Sequence, residues 1–279
     1  MTGSVRSRAK LNLSLHITGR RDDGYHLLES VVAFADIGDV LTARASQELT
    51  LTIIGEHASG LPSDEDNLVL RAARALAPDK TAHLTLEKNL PIASGIGGGS
   101  GDAAAALKLL NKFWGLNLPM KVLNEVALRL GADVPMCLEN TPAFVQGTGD
   151  IITPIVLPTW YVVLANPGVA IPTKNIFADF AASRQSFDTP SAFSEITDWL
   201  SYVKASRNTL QPFSVAREPI IKALLSAFAA TEQCLLSRMS GSGATCFGLY
   251  EKEEAAREAE RYLAASFPQF WLKTATLSG

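Results

Sequence analysis

The sequence predicts a mixed α+β protein with two lobes. Segments in which every second residue is apolar, a pattern typical of strands, alternate with segments of helical periodicity. After about residue 155 a new succession of strand, helix and strand begins, which suggests a boundary near Ile155 and two parts, 1–155 and 156–279. A chain of 279 residues, 47% of them hydrophobic, can form one large domain or two smaller ones.

Strands dominate the first ninety residues. The segment KLNLSLHI (10–17) alternates strictly, with Leu and Ile on one side and Lys10, Asn12, Ser14 and His16 on the other, which predicts a half-buried strand. A turn at Gly24 follows. Three further strands are predicted from the segments ESVVAFADI (29–37), ELTLTII (48–54) and AHLTLEK (82–88).

Three helices are predicted in the same half. The segment DEDNLVLRAARAL (64–76) has apolar residues at helical spacing and a cap near Asp66. The segment DAAAALKLLNKFWG (102–115) is rich in helix formers and stops at Gly115. A third helix lies in 118–135, with Pro119 in its first turn and Gly131 at its end.

The second half follows the same logic. WYVVLANPG (160–168), CFGLY (246–250) and FWLKTATL (270–277) predict strands, and REPIIKALLSAF (217–228) and EKEEAAREAERYLAASF (251–267) predict helices. Residues 177–199 carry no regular pattern, and we expect a loop with a short helix there.

Composition excludes several classes of function. A net charge of −3 and a pI of about 5.9 give no electrostatic case for a nucleic-acid or anionic-membrane partner. Three widely separated cysteines and four histidines without i, i+4 spacing argue against a disulfide framework or a zinc site. No window approaches the ~20 apolar residues of a membrane span, so we expect a cytoplasmic protein.

The most informative segment is LPIASGIGGGSGDAAAALKLL (90–110), where glycines stand directly before an alanine-rich helix. Glycines let a ligand approach the backbone amides, and a helix N-terminus offers unpaired N–H groups and the positive end of a dipole. Together these features predict a phosphate site. The chain has no Gly-Lys dipeptide, and Ser100 stands where the dinucleotide fingerprint needs its third glycine, so neither familiar phosphate motif applies.

The pattern Pro-x-x-x-Gly-x-Gly, formed by Pro91, Gly95 and Gly97, resembles the phosphate loop of the GHMP kinase superfamily. SGSGATCFGLY (240–250) is similar to the C-terminal glycine motif of that superfamily. With GADVP (131–135), the start AKLNLSLHITGRRDDGYHLLES (9–30) resembles one branch, ATP-dependent kinases that act on a cytidine diphosphate derivative in non-mevalonate isoprenoid biosynthesis.

The resemblance implies the two-lobed GHMP kinase fold, with an N-terminal domain like ribosomal protein S5 domain 2 and a ferredoxin-like C-terminal domain. Residues 1–155 would then bind the nucleotide, and 156–279 would contribute to substrate binding. The sequence departs from the family pattern at two positions, because Gly101 and Ala244 stand where serines are usual. Both changes remove a hydroxyl group but leave the backbone amides in place.

Lys10 and Asp133 are the candidate catalytic residues. Gly131 and Pro135 fix a tight turn around Asp133, and an aspartate in such a turn is often only a turn former. The resemblance implies instead that Asp133 is the catalytic base. Lys10 would keep its carboxylate ionised if the polar side of the first strand lines the cleft, and Asn12 projects from that side about 7 Å away.

The resemblance also implies where the ligands bind. Tyr25 and His26 would bind cytosine, with Phe177 on the second side of the stack, and Asn12 and Thr173 near the substrate. Mg²⁺ is expected with ATP, and no set of carboxylates marks a dedicated metal site. Residues expected to bind ATP are Pro91, Gly95, Gly97, Gly98, Gly99, Ser100 and Gly101 in the loop, and Asn67 near adenine.

Three assignments at the loops stay open. Asn67 could serve only as a helix cap. Asp102 could be a metal ligand, but we favour an acidic residue of the first helical turn, stabilised by the helix dipole. The loop 241–243 would cover substrate phosphates or support the nucleotide loop.

Other functions remain open at this stage. Another GHMP kinase, of homoserine or mevalonate type, would share the loops but would not need DDGYHLLES. A ligand-binding protein without activity should have lost the catalytic pair, and both Lys10 and Asp133 are present. The acidic pI disfavours a nucleic-acid partner, and no obligate protein partner is indicated.

Overall fold

A computed structural model describes residues 2–277 of the chain. The strands in this range are β1 (Thr2–Asn12), β2 (His16–Arg20), β3 (His26–Arg44), β4 (Thr50–Ile54), β5 (His83–Glu87), β6 (Ala143–Gly147), β7 (Ile151–Pro154), β8 (Trp160–Asn166), β9 (Leu236–Met239), β10 (Cys246–Tyr250) and β11 (Trp271–Leu277). The helices are α1 (Leu68–Leu76), α2 (Gly98–Phe113), α3 (Met120–Leu130), α4 (Val134–Glu139), α5 (Thr173–Ser183), α6 (Trp199–Ala205), α7 (Gln211–Arg217), α8 (Ile220–Ala229) and α9 (Glu253–Ser266).

These elements form two compact units. The first comprises the N-terminal segment up to Lys10 and the ranges Ile37–Ile92 and Gly97–Asn140. The second comprises Leu11–Asp36, Ala93–Ile96 and the chain from Thr141 onward. Both β1 and β3 contribute residues to each unit. The mixed α+β class predicted from the sequence is confirmed, whereas the division at residue 155 stays a prediction.

The first unit contains paired strands and a group of helices that pack on one another. The C-terminal half of β3 pairs antiparallel with β5, from Val40 opposite Glu87 to Arg44 opposite His83, and β4 pairs parallel with β5. Helix α2 packs against α1, α3 and α4. Residues 103–106 of α2 are four buried alanines, and their small side chains let neighbouring elements approach this helix closely.

The second unit is built around β8. This strand pairs antiparallel with β10 on one side and β11 on the other, and β9 extends the sheet beyond β10. Helices α8 and α9 pack on this sheet and bury Phe228 and Leu263 in a core that includes Ile176 and Tyr250. Separately, β6 pairs with the N-terminal half of β3 and with β7.

The first strand differs from the prediction. β1 ends at Asn12, β2 begins at His16, and Lys10, Asn12 and Ser14 are buried rather than facing solvent. Polar groups of neighbouring elements explain the burial, because the Asn12 amide donates to Ser30 Oγ at 2.8 Å and Ser14 Oγ accepts from the Val31 N–H at 3.0 Å. The prediction of a half-buried strand is therefore wrong for these residues.

Helix boundaries show one agreement and one further correction. The cap predicted near Asp66 is confirmed at the next residue, because the Asn67 side chain caps α1 by accepting from the Val69 N–H at 2.9 Å. Helix α2 begins at Gly98 rather than Asp102, so the last glycines are helical. The predicted ends at Gly115 and Gly131 agree with the structure to within two residues.

The segment predicted as a loop with a short helix, 177–199, contains most of α5, a single 3₁₀ turn at Phe193–Glu195 and the start of α6. Acidic side chains fix the irregular part. Asp188 accepts a hydrogen bond from the Ile17 N–H at 3.2 Å, and the buried Glu29 accepts one from the Ser191 N–H at 3.0 Å. Contacts far apart in sequence thus order a segment that has no periodicity of its own.

None of the helices within residues 2–277 combines the length and the apolar composition that crossing a membrane requires.

Candidate active site

The N-terminus of α2 is shaped to receive an anion. Gly97 caps the helix in the left-handed region, at φ 70° and ψ 19°, which favours glycine. The first intrahelical bond runs from the Gly101 N–H to the Gly97 carbonyl at 2.8 Å. The N–H groups of Gly98, Gly99 and Ser100 precede that bond and lie at the positive end of the helix dipole. Such an end can bind phosphate.

Lys10 lies beside this turn. A Cβ atom placed on Gly97 would be 3.1 Å from Lys10 Cβ, so the lysine stem packs directly against the loop backbone. The side chain is only 7% exposed. This burial differs from the solvent-facing position that is usual for a strand lysine.

Lys10 and Asp133 form an ion pair. Lys10 Nζ donates to Asp133 Oδ2 at 3.0 Å, across 123 residues of sequence. Asp133 precedes α4 at its N-terminal end, and 44% of its side chain is exposed. One carboxylate is therefore held by a buried ammonium while staying open to a ligand. This arrangement orients one carboxylate oxygen and leaves the group accessible to a substrate hydroxyl.

The start of the glycine loop packs against the C-terminal glycine motif. Ser240 Oγ donates to the Gly95 carbonyl at 2.9 Å and accepts from the Asn12 N–H at 3.1 Å. Gly95 has φ +76°, and a Cβ atom there would clash with the Ser240 carbonyl and lie 2.8 Å from that of Gly243. Of the two roles predicted for the loop 241–243, the geometry agrees with support of the nucleotide loop.

The aromatic residues predicted to bind cytosine fall into two groups. The His26 and Phe177 rings are 5.2 Å apart between centroids, and His26 also contacts Phe180 edge-on at 5.6 Å. Burial, together with the nearby Arg20 guanidinium, lowers the pKa of His26, so the imidazole is neutral at pH 7. Tyr25 lies outside this cluster, with two thirds of its surface exposed.

The remaining predicted substrate residues are engaged in polar contacts. The hydroxyl groups of Thr173, at the start of α5, and Ser242 are 2.8 Å apart. The Asn12 amide binds Ser30, and its Oδ1 is buried without a hydrogen-bond partner. Their contacts with substrate stay predictions.

The residues predicted near the nucleotide base are also placed. Besides capping α1, Asn67 donates through Nδ2 to the Pro62 carbonyl at 2.7 Å. This agrees with the capping alternative, and a contact with adenine stays a prediction. Pro91 is buried in the connection from β5 to α2.

The sequence did not reveal a cluster beneath α2. Asp102 is not in the first turn of that helix, and its buried carboxylate accepts from Lys88 Nζ at 2.8 Å. Lys88 also binds Asp39 of β3. Our interpretation of Asp102 as a first-turn acid is therefore wrong. No local pattern marks these partners, because Asp39 and Lys88 are 49 residues apart.

Comparison with known proteins shows the family. The family model for the GHMP kinases N terminal domain matches residues 67–147, and the model for GHMP kinases C terminal matches 192–269. The chain is 48% identical to the 4-diphosphocytidyl-2-C-methyl-D-erythritol kinase of Cereibacter sphaeroides over 98% of each chain. It is 47% identical to the kinase of the same name from Parvibaculum lavamentivorans over 100% of each.

Solved structures agree with this assignment. A crystal structure of 4-(cytidine 5'-diphospho)-2C-methyl-D-erythritol kinase superposes with a TM-score of 0.81 at 29% identity, covering 99% of this chain and all of the other. A homoserine kinase from Cytophaga hutchinsonii, at 18% identity and a TM-score of 0.72, shares the fold over 99% and 94% of the two chains. The chain therefore belongs to the 4-diphosphocytidyl-2-C-methyl-D-erythritol kinase family of the GHMP kinases and is an ATP-dependent small-molecule kinase.

Proposed function

We propose that this chain transfers the γ-phosphoryl group of ATP to the 2-hydroxyl of 4-diphosphocytidyl-2-C-methyl-D-erythritol, a step in non-mevalonate isoprenoid precursor synthesis. The names of relatives that are 47–48% identical support the substrate. The observation that carries the chemistry is the Lys10–Asp133 ion pair, whose lysine packs against Gly97 of the phosphate loop.

In this mechanism Asp133 is the general base. Its carboxylate accepts the proton of the attacking hydroxyl as the new oxygen–phosphorus bond forms and the bond from the γ-phosphorus to ADP breaks. Lys10 Nζ orients the carboxylate through the hydrogen bond at 3.0 Å. A positioned base contributes about 10²–10⁴-fold to such a step. The loop N–H groups hold the donor phosphates in place.

We assign cytosine binding to His26, Phe177 and Tyr25. The neutral His26 imidazole can form a hydrogen bond with the polar edge of a pyrimidine, and Phe177 beside it supplies an apolar face. Tyr25 is exposed and free to close over the base from the other side. We assign Asn12 and Thr173 to the remainder of the substrate.

Mg²⁺ fits this site as an ion that arrives with ATP. Among residues 2–277 no group of three or more His, Cys, Asp or Glu side chains could hold a metal. Mg²⁺ in kinases is bound largely by nucleotide phosphates and water, and it neutralises charge on the transferred phosphoryl group. We assign no metal contact to Asp102, because its buried carboxylate accepts a hydrogen bond from Lys88. The exposed Asp133 carboxylate is the one we assign to the ion's vicinity.

The test is a product assay with three acceptors. Purified protein is incubated with ATP, Mg²⁺ and either the cytidine diphosphate alcohol, homoserine or mevalonate, and phosphorylated product is detected by mass. We expect product only from the first acceptor. Phosphorylation of homoserine or mevalonate instead would overturn the substrate assignment.

Variants then test the mechanism. Asp133→Asn should lower kcat by at least about 10²-fold with folding intact, whereas Asp79→Asn, at an exposed aspartate, should leave it unchanged. Lys10→Met and Lys80→Met form a matched pair for the ammonium group, with a loss expected only for the first. Turnover near that of the unmodified protein in Asp133→Asn would refute the base assignment.

A further inference from the structure

Three charged side chains meet beneath the first turn of α2. Lys88 Nζ donates to a carboxylate oxygen of Asp39 and, at 2.8 Å, to Asp102 Oδ2. All three side chains are at most 4% exposed. One ammonium thus faces two carboxylates, and the cluster carries a formal charge of −1 when both are ionised.

The two carboxylates are not equally satisfied. Asp39 also accepts hydrogen bonds from the N–H groups of Asn89 at 2.6 Å and Leu90 at 2.9 Å. Asp102 has Oδ1 buried without a hydrogen-bond partner. A buried carboxylate with one oxygen left without a hydrogen-bond donor is costly in its charged form. Asp102 is therefore the member of the cluster that holds a proton most readily.

The cluster lies close to the proposed phosphate site. A Cβ atom on Gly98, the first residue of α2, would be 3.5 Å from Lys88 Nζ and 3.8 Å from Asp39 Oδ2. Solvent cannot screen a charge at that depth as it screens surface charges. A residual negative charge beneath Gly98 would oppose the binding of a triphosphate at the same turn.

We propose that ATP binding is coupled to the uptake of one proton by Asp102, which neutralises the Lys88–Asp39–Asp102 cluster and sets the affinity of the α2 N-terminus for the nucleotide. The proton comes from the buffer, is held by the carboxyl group of Asp102 beside Asp39, and returns to the buffer when the nucleotide dissociates. The inference rests on the proposed function, which places the ATP phosphates at this turn. Asp102 acts without touching the nucleotide.

The ionisable groups around Asp102 agree with this coupling. Burial raises the pKa of Asp102 to about 7, against the opposing effect of Lys88 and with a further increase from Asp39. Burial alone would lower the pKa of Lys88, but the two carboxylates raise it by more. Lys88 therefore stays charged. On α4, which packs against α2, burial raises the pKa of Cys137 to about 12, so that thiol is neutral.

The experiment measures proton uptake. A non-hydrolysable ATP analogue is titrated calorimetrically into the protein at pH 8, in two buffers of different ionisation enthalpy, with the unmodified chain and Asp102→Asn. Asparagine keeps the shape but cannot titrate, and protonation of the analogue itself is common to both proteins. We expect greater proton uptake by the unmodified chain, and a Kd that weakens from pH 6 to pH 8 about three- to tenfold more than in the variant.

Equal proton uptake by both proteins would overturn the proposal. If Asp102→Asn does not fold, infrared difference spectra of the unmodified chain with and without the analogue give the answer. A gain of protonated carboxyl signal supports the inference, and its absence refutes it. A second variant, Gly97→Ala, tests the proposed phosphate site independently of proton uptake. If this variant binds the analogue as tightly as the unmodified chain, the phosphates bind elsewhere and the proposed function fails.

Discussion

Replacing Gly101 with serine, the residue that resembling kinases usually carry there, is expected to destabilise this protein. A Cβ atom on Gly101 would lie 2.5 Å from Ser7 Oγ, which is closer than a real Cβ atom approaches any neighbour. Ser7 Cβ is 3.8 Å from the same point, at ordinary contact distance. The hydroxyl of Ser7 is therefore the obstacle, and Ser7→Ala should remove it.

The magnitude follows from two opposing effects. Inserting atoms into a packed interior costs about 1–3 kcal/mol, and the lower end applies because a hydroxyl can rotate away. Serine is the better helix former by about 0.5 kcal/mol. We expect a net loss of about 0.5–1 kcal/mol for Gly101→Ser alone. In the Ser7→Ala background, where the clash is absent, the same change should gain about 0.5 kcal/mol.

The assay is a double-mutant cycle of urea unfolding on four proteins: the unmodified chain, each single variant and the double variant. Ser7→Ala alone should be neutral or stabilising, because Ser7 Oγ is buried without a hydrogen-bond partner. The free energies of unfolding should reveal a coupling of about 1–1.5 kcal/mol between the two sites. Additive effects would refute the reasoning, since they would mean that the Ser7 hydroxyl does not limit position 101.

Two further predictions test other parts of the site. The pKa of His26 is lowered by burial and by Arg20, and a bound pyrimidine would bury the ring further, so KM for the cytidine substrate should rise as pH falls below 6 in the unmodified chain but not in His26→Gln. Gly95→Ala should lower Tm by at least about 5 °C. Gly60 also has a positive φ, but no atom lies within 4 Å of the position of a Cβ there, so Gly60→Ala should lower Tm by less. Equal decreases in Tm for the two variants would show that crowding at Gly95 is unimportant.

Elements that carry their own periodicity could be predicted from the sequence. Helices α3 and α9 and strands β8, β10 and β11 lie where apolar spacing and Gly or Pro boundaries indicated them. The Lys10–Asp133 pair could be predicted only from the family resemblance. Alternation placed Lys10 on one side of its strand, but nothing local connects it with a residue 123 positions later.

Long-range partners explain what the sequence could not reveal. Strands β6, β7 and β9 have only four or five residues, which is too few for a clear periodicity, and β6 is defined by pairing with the distant β3. Alternation shows which residues share a side of a strand but not what covers that side. The cluster around Lys88 is hidden for the same reason, because its three members come from β3, the end of β5 and α2.

The glycines at the start of α2 can be divided by asking which of them the protein itself requires. Gly97 has a left-handed backbone, and Gly101 is crowded by Ser7. Gly99 meets neither condition, since a Cβ atom there would be 3.7 Å from Leu68 and its backbone is helical. Alanine in its place should raise the free energy of unfolding by up to about 1 kcal/mol.

A glycine that lowers stability and that the fold itself does not require points to a requirement of a ligand. Here the close approach of phosphate to a backbone amide with no side chain beside it would be that requirement. Gly99→Ala should therefore unfold at higher urea concentration and yet bind the ATP analogue less tightly. A variant that is stabilised and binds the analogue as well as the unmodified chain would show that no ligand approaches the amide of Gly99.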